Sequence, residues 1–226
     1  IEGIGTSTLT IRGKPEINTH ITFYPSEDPI EAMLFITAAI VTKSSITIER
    51  CPIDFLELEL YRLQKMGFKY KILKRYKSKN AFTNLVDIKT FPSDLTAPKD
   101  KLHPLPYPGI NIDNLPFFVP IATQCRGRTP IHDWPYENRA IYYLELNKLG
   151  ANITFLDPHR VFIDGPTVLK PSEIVAPPAL RPAAIILVSM LAARGKSIFR
   201  NVYSINRGYE DICPRLNSLG AKIKIV

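Results

Sequence analysis

Apolar and polar positions along the chain fall into three recurring blocks, and the last block is the plainest. Residues 182–194 are apolar on every side, so a helix there is predicted to be buried all round. It is too short to cross a bilayer. Gly195 stops it, residues 197–202 read as a strand, an amphipathic helix is predicted over about residues 208–219, and Gly220 stops that before a strand over residues 222–226.

The first block opens with a strand-like pattern over residues 9–23, LTIRGKPEINTHITF, turning at Gly13 to Pro15. Asp28 as N-cap, Pro29 as first helical residue and Glu31 as the far half of a capping box then predict a buried helix over residues 30–41. Next come a strand at 46–49, an amphipathic helix at 54–66 with Leu56, Leu60 and Leu63 on one face, a stop at Gly67, and a strand at 68–73 paired with 84–89. The middle block repeats the plan. Residues 115–124 (LPFFVPIATQ) are apolar, with Pro120 predicted to kink or shorten a helix there. A strand at 128–132, a helix at 137–149, a stop at Gly150, and strands at 152–155 and 160–163 around a turn at Asp157 and Pro158 follow.

Three segments share one grammar: LYRLQKMGFKYKI, YYLELNKLGANIT and ICPRLNSLGAKIKI. Each places apolar residues four and one positions before a glycine, and the glycines recur at intervals of 83 and 70 residues. The pattern predicts an α/β (α+β) fold of three β-α-β-α-β-β units, about residues 9–90, 91–165 and 166–226, with the apolar helices central and mixed sheets outside.

Composition narrows the class. At 226 residues, 45% hydrophobic and 22% charged, the chain is long enough for one sizeable core or two small ones. No run reaches membrane length, and Ile1 opens into strand-like sequence without an initiator Met or a charged leader, so the chain is expected to be part of a longer one. Cys51, Cys125 and Cys213 are odd in number, far apart and without metal spacing, which fits a reducing cytoplasm and no structural metal. The net charge of +8 includes six positive residues within 69–79 (KYKILKRYKSK). Alternation with Tyr70, Ile72 and Leu73 reads as a solvated edge hairpin, with nucleic acid as the sharper rival and anionic small molecules as a third use of the charge.

Candidate chemistry gathers at Arg181 and Arg207, each placed just before a predicted helix of the last block. Backbone N–H groups and the positive dipole end meet there, so an added cation makes an anion site. Two other motifs carry nothing. GKS at Gly195 to Ser197 has Met190 where a phosphate loop needs its first glycine and a helix where it needs a strand. Cys125, flanked by Arg126 and Arg128, is read as a small residue at a helix end rather than an activated thiol.

The pieces PYPGINIDNL, PYENR, ALRPAA and NRGYEDICPRLNSLGA, in that order, resemble the enolpyruvyl transferases, most closely the group acting as UDP-N-acetylglucosamine 1-carboxyvinyltransferase. The resemblance covers nearly nine tenths of the chain, from about Thr22 onward. It implies a two-domain enzyme of six such units, an inside-out α/β barrel arrangement with the site in the cleft. Residues 24–226 would be the C-terminal domain, preceded in 1–23 by the tail of the other. The implied partners are UDP-N-acetylglucosamine, phosphoenolpyruvate and the missing N-terminal domain of the same protein. No cofactor or metal, no nucleic acid and no membrane are implied, and the setting is cytoplasmic peptidoglycan precursor synthesis. The family's reactive cysteine or aspartate lies in the other domain.

Residue by residue, Asp113 matches the family's aspartate at the sugar hydroxyl, a proposed base; by itself it also reads as a helix cap ahead of Leu115. Arg139 matches an arginine of the sugar-nucleotide site, with Pro135, Tyr136 and Glu137 on the uridine-facing turn; by itself it also reads as an exposed first-turn arginine pairing with Glu137. Arg181 and Arg207 match the cations near phosphoenolpyruvate, where a guanidinium fork grips two oxygens at once. The chain departs from the family at Ala179 and Asn206, which stand where aspartates are usual, and in INIDNL around Asp113. Two rivals follow: a non-catalytic paralogue that binds a nucleotide sugar or a protein, and a 5-enolpyruvylshikimate 3-phosphate synthase, against which RGYE argues.

Overall fold

The computed structural model describes residues 1–4 and 6–225. Asp28 caps the first helix, α1 (Pro29–Val41), its Oδ1 accepting the Ile30 N–H at 2.8 Å. Glu31 does not close a capping box; it reaches across the molecule to Arg215 at 2.5 Å. Nearly all of α1 is buried. A strand β1 (Thr47–Pro52) follows, then a 3-10 turn (Ile53–Phe55), α2 (Glu57–Met66) and the hairpin β2 (Lys69–Lys77) and β3 (Asn84–Phe91).

The second unit holds β4 (Leu95–Thr96), a 3-10 turn (Leu115–Phe117) running into the short α3 (Phe118–Ala122), β5 (Cys125–His132), a 3-10 helix (Arg139–Leu149), β6 (Asn152–Asp157) and β7 (Arg160–Gly165). Pro120 falls inside α3 and the helix is indeed short. The third unit has β8 (Glu173–Val175), α4 (Leu180–Ala192), β9 (Ile198–Arg200), α5 (Tyr203–Asn206) and α6 (Ile212–Ser218).

The sheets run β1-β3-β2, β4-β5-β7-β6 and β8-β9. In units two and three the opening strand lies parallel to the strand after the buried helix, β4 on β5 and β8 on β9. In units one and two a hairpin is then laid antiparallel on that strand, β2 and β3 on β1, β6 and β7 on β5. The buried helices α1, α3 and α4 all touch one another, so the apolar helices form the centre and the sheets the outside. A single core cluster takes residues from all three units. The three stop glycines have left-handed backbones, φ 108 at Gly67, 86 at Gly150 and 103 at Gly220, where a Cβ is strained. A second device repeats: Asn147 bonds both N–H and C=O of Ile153, and Asn217 does the same to Ile223.

Three expectations need correction. Residues 9–23 form no strand; Ile11, Ile17, Ile21 and Phe23 are exposed, and the described tail has only the Glu2–Thr10 bridge. A strand lasts only if a neighbour takes its N–H and C=O groups, and beyond Thr10 this stretch has none among the described residues. Residues 222–225 form no strand for the same reason, since no described strand flanks β9 on the side where β7 flanks β5. Residue 226 lies outside the described residues. The helix expected over 208–219 is shorter, α6 alone, because Gly208 to Asp211 are not helical and Asp211 has φ 46; the four-residue α5 before it was not expected. The basic stretch is the edge strand β2 with its lysines exposed, although a bulge between Ile72 and Lys74 turns Leu73 outward.

Candidate functional site

Asp113 lies on the loop between β4 and α3, in an Asx turn whose Asn111 Oδ1 accepts the Asp113 N–H at 2.8 Å. It caps no helix: the turn at Leu115 starts from Asn114, without a side-chain cap. The carboxylate faces two arginines instead. Its Oδ2 accepts from Arg181 Nη2 at 3.2 Å, and its Oδ1 stands 3.7 Å from Arg139 Nη1. With 28% of its side chain exposed, Asp113 is open to a ligand.

Arg139 is buried, which removes the reading of an exposed arginine paired with Glu137. Its Nε and Nη2 donate to the two oxygens of the fully buried Asp133 at 2.5 and 2.6 Å, and Nη2 also donates to the Ile112 carbonyl at 2.8 Å. Tyr143 donates its hydroxyl to Asp133 at 2.5 Å, and the Tyr136 ring covers the guanidinium at 4.2 Å. Burial works against the Arg139 charge, but the bonds to Asp133 and the nearby carboxylates prevail and hold it above the ordinary arginine range. Only Nη1 is left for Asp113. Arg139 therefore anchors the loop and its carboxylate; it does not reach out as a free cation.

Arg181, in the first turn of α4, donates Nη1 to the Tyr209 hydroxyl at 2.9 Å while Nη2 holds Asp113. Burial pushes the Tyr209 phenol up to about 12. Arg207 corrects the helix-start argument. It follows the last residue of α5, and the N–H groups invoked for it belong to α6, which begins only at Ile212. It is exposed, and its guanidinium has no hydrogen bond or ion pair among the described residues. Gly208 ties this turn to α4, since a Cβ there would lie 2.3 Å from Leu180 Cδ2. Arg207 is thus carried beside the start of α4, next to a glycine packed on Leu180.

Tyr136 and Glu137 are exposed, and Pro135 lines an open cavity of about 350 Å³ walled by Tyr107, Trp134 and Ile112. The structure therefore joins Asp113, Arg139 and Arg181 directly, with Arg207 two residues before the Tyr209 that bonds Arg181 and the Pro135 turn just before Arg139 in the chain. Asp133 and Tyr143 were missed at the sequence level, as was Tyr209, although it lies inside NRGYE. Among the described residues no group of three or more His, Cys, Asp or Glu could hold a metal, and no helix is long and apolar enough to cross a membrane.

The family model described as EPSP synthase (3-phosphoshikimate 1-carboxyvinyltransferase) matches residues 1–216. The UDP-N-acetylglucosamine 1-carboxyvinyltransferase of Treponema denticola is 34% identical over 229 residues, covering 100% of this chain and 51% of that protein. That of Bradyrhizobium diazoefficiens is 34% identical over 227 residues, with the same coverage. The chain thus spans about half the length of the curated relatives it matches. Among solved structures, the enolpyruvyl transferase NikO from Streptomyces tendae superposes with a TM-score of 0.71 at 26% identity, over 88% of this chain and 44% of that one. The EPSP synthase from Acinetobacter baumannii gives 0.74 at 16% identity, over 87% and 46%, a likeness of fold alone.

Proposed function

This chain belongs to the EPSP synthase family of enolpyruvyl transferases, and from that premise we propose that it supplies one half of a site that transfers the enolpyruvyl group of phosphoenolpyruvate to the 3-hydroxyl of UDP-N-acetylglucosamine. The observation that carries the reading is the open carboxylate of Asp113, held between Arg139 and Arg181. In the reaction the sugar oxygen adds to C2 of phosphoenolpyruvate while C3 takes a proton; phosphate then leaves as C3 gives a proton back. Asp113 orients the 3-hydroxyl and accepts its proton. Arg207 and the outer edge of Arg181 hold the phosphate and carboxylate, whose charge is concentrated as phosphate departs. Pro135, Tyr136 and Glu137 border the nucleotide, and Arg139 acts by fixing Asp113. The proton donor to C3 and the rest of the site come from an N-terminal domain of the same protein. The setting is the cytoplasmic opening of peptidoglycan precursor synthesis.

Phosphate release from the two substrates tests this. The chain alone is expected to show negligible turnover, and mixing it with the N-terminal half of the Treponema denticola relative is expected to restore release that Asp113→Asn abolishes. Turnover by the chain alone near that of a complete enzyme would sink the reading. So would preferential binding of shikimate 3-phosphate over the nucleotide sugar.

One observation favours a second reading, a binder without turnover. Ala179 begins α4 with no side-chain acceptor, and Asn206 is exposed and uncharged beside Arg207. Restoring aspartate at both positions in the complementing mixture is expected to raise turnover in a weakened enzyme and to change nothing in a binder.

A further inference from the structure

Glu59 is a buried carboxylate for which the proposed reaction has no use. It sits on α2 in the first unit, 2% exposed, on the face that otherwise buries Leu60, Leu63 and Met66. No cation stands within ion-pair range of it among the described residues. A carboxylate withdrawn from water in this way persists only where other donors replace the water. Here two do, and both belong to the second unit. The Asn111 backbone N–H and the Asn114 side-chain Nδ2 each donate to Glu59 Oε1 at 2.9 Å. They lie on either side of Asp113 in sequence, and Asn111 also accepts the Asp113 N–H. The Asn114 amide meets Glu59 with its nitrogen while its own Oδ1 is buried without a partner, so its orientation is set by the carboxylate.

We infer that Glu59 is a positioning residue, which pins both ends of the loop 111–114 so that the Asp113 carboxylate stays between Arg139 and Arg181. The loop is then held from three directions: Glu59 on α2 grips its ends, Arg139 its middle through the Ile112 carbonyl, and Arg181 on α4 the carboxylate. The departure of INIDNL from the usual family wording and the charge on α2 become one feature, because the two asparagines are the donors that Glu59 requires. The inference rests on the reading of Asp113 as the carboxylate that meets substrate.

Amide hydrogen exchange and the Asn114 side-chain NH₂ resonances of the whole chain provide the test, with Glu59→Leu and Glu59→Gln beside the wild type. Both donors converge on one oxygen, so a glutamine carbonyl can accept both without the charge. Glu59→Leu is expected to speed exchange at Asn111 by about tenfold or more and to shift the Asn114 resonances. Glu59→Gln is expected to return both to wild-type values. Equal protection of Asn111 in wild type and a folded Glu59→Leu overturns the inference, and so does a Gln variant as loose as the Leu variant. Should Glu59→Leu not fold, Asn114→Ala deletes one donor and keeps the carboxylate; it is expected to loosen the loop by a smaller factor, and unchanged protection there also overturns the inference. Titration of the mixture with the Treponema denticola N-terminal half by UDP-N-acetylglucosamine separates the two readings. Weaker binding with Glu59→Leu, rescued by Glu59→Gln, supports both, whereas a loosened loop in a chain whose wild-type mixture never binds the sugar leaves the clamp standing and removes the functional reading.

Discussion

Asp133 has no solvent access, and all of its stability comes from the groups that meet it: the fork of Arg139 and the Tyr143 hydroxyl. Such a cluster contributes little net stability while intact but is costly to break, because the surviving charge stays buried. Asp133→Ala is accordingly expected to destabilise the chain by about 3–5 kcal/mol in urea unfolding, against about 1 kcal/mol for Tyr143→Phe, which removes one donor and leaves the ion pair. Near-equal losses would show that Arg139 finds other company. Arg139 was legible in the sequence as the arginine of PYENR, but its burial was not. Asp133, Tyr143 and Glu59 look like surface residues until the folded chain shows what lies against them, since local patterning records which side chains prefer water and not which find partners away from it.

At the scale of elements, α1 and α4 start from the same extended backbone but are capped differently. Asp28 has φ −82 and ψ 112 and accepts the Ile30 N–H; Ala179 has φ −98 and ψ 130 and has nothing to accept with. Ala179→Asp is expected to stabilise the chain by about 1 kcal/mol through the missing cap, raising Tm by about 2–4 °C, and a thermal melt reads this independently of any effect on turnover. The three buried helices and the three glycine stops were legible because each follows from a local need, an apolar surface on every side or a left-handed residue. The ends of the outer sheets were not. A strand such as 9–23 has the right alternation, but alternation says nothing of whether a neighbour is there to pair with it. The last helix starts only at Ile212, and Gly208 before it packs closely on Leu180, again a demand set by a distant residue.

Over the whole molecule, burial places groups of high pKa in more than one unit. It pushes the Cys51 and Cys125 thiols from 9.0 up to about 12, and the Tyr209 phenol from 10.0 to about 12. These groups are neutral in the folded chain, so their contribution is fully present below pH 9, where the unfolded chain also keeps its thiols protonated. It is lost as pH climbs towards about 12, because the unfolded chain releases its protons first. Tm is therefore expected to fall between pH 9 and 11, and Cys51→Ala combined with Cys125→Ala to flatten that fall. An unchanged slope in the double variant would assign the alkaline loss to other groups.

The mutual contact of α1, α3 and α4 also governs how the chain comes into being. A ribosome releases α1 long before α4, so the apolar surface of α1 waits for that neighbour until α4 has emerged. A nascent chain halted after Gly165 is expected to bind the dye ANS and to melt without a cooperative transition. Holdase chaperones would be needed through that interval.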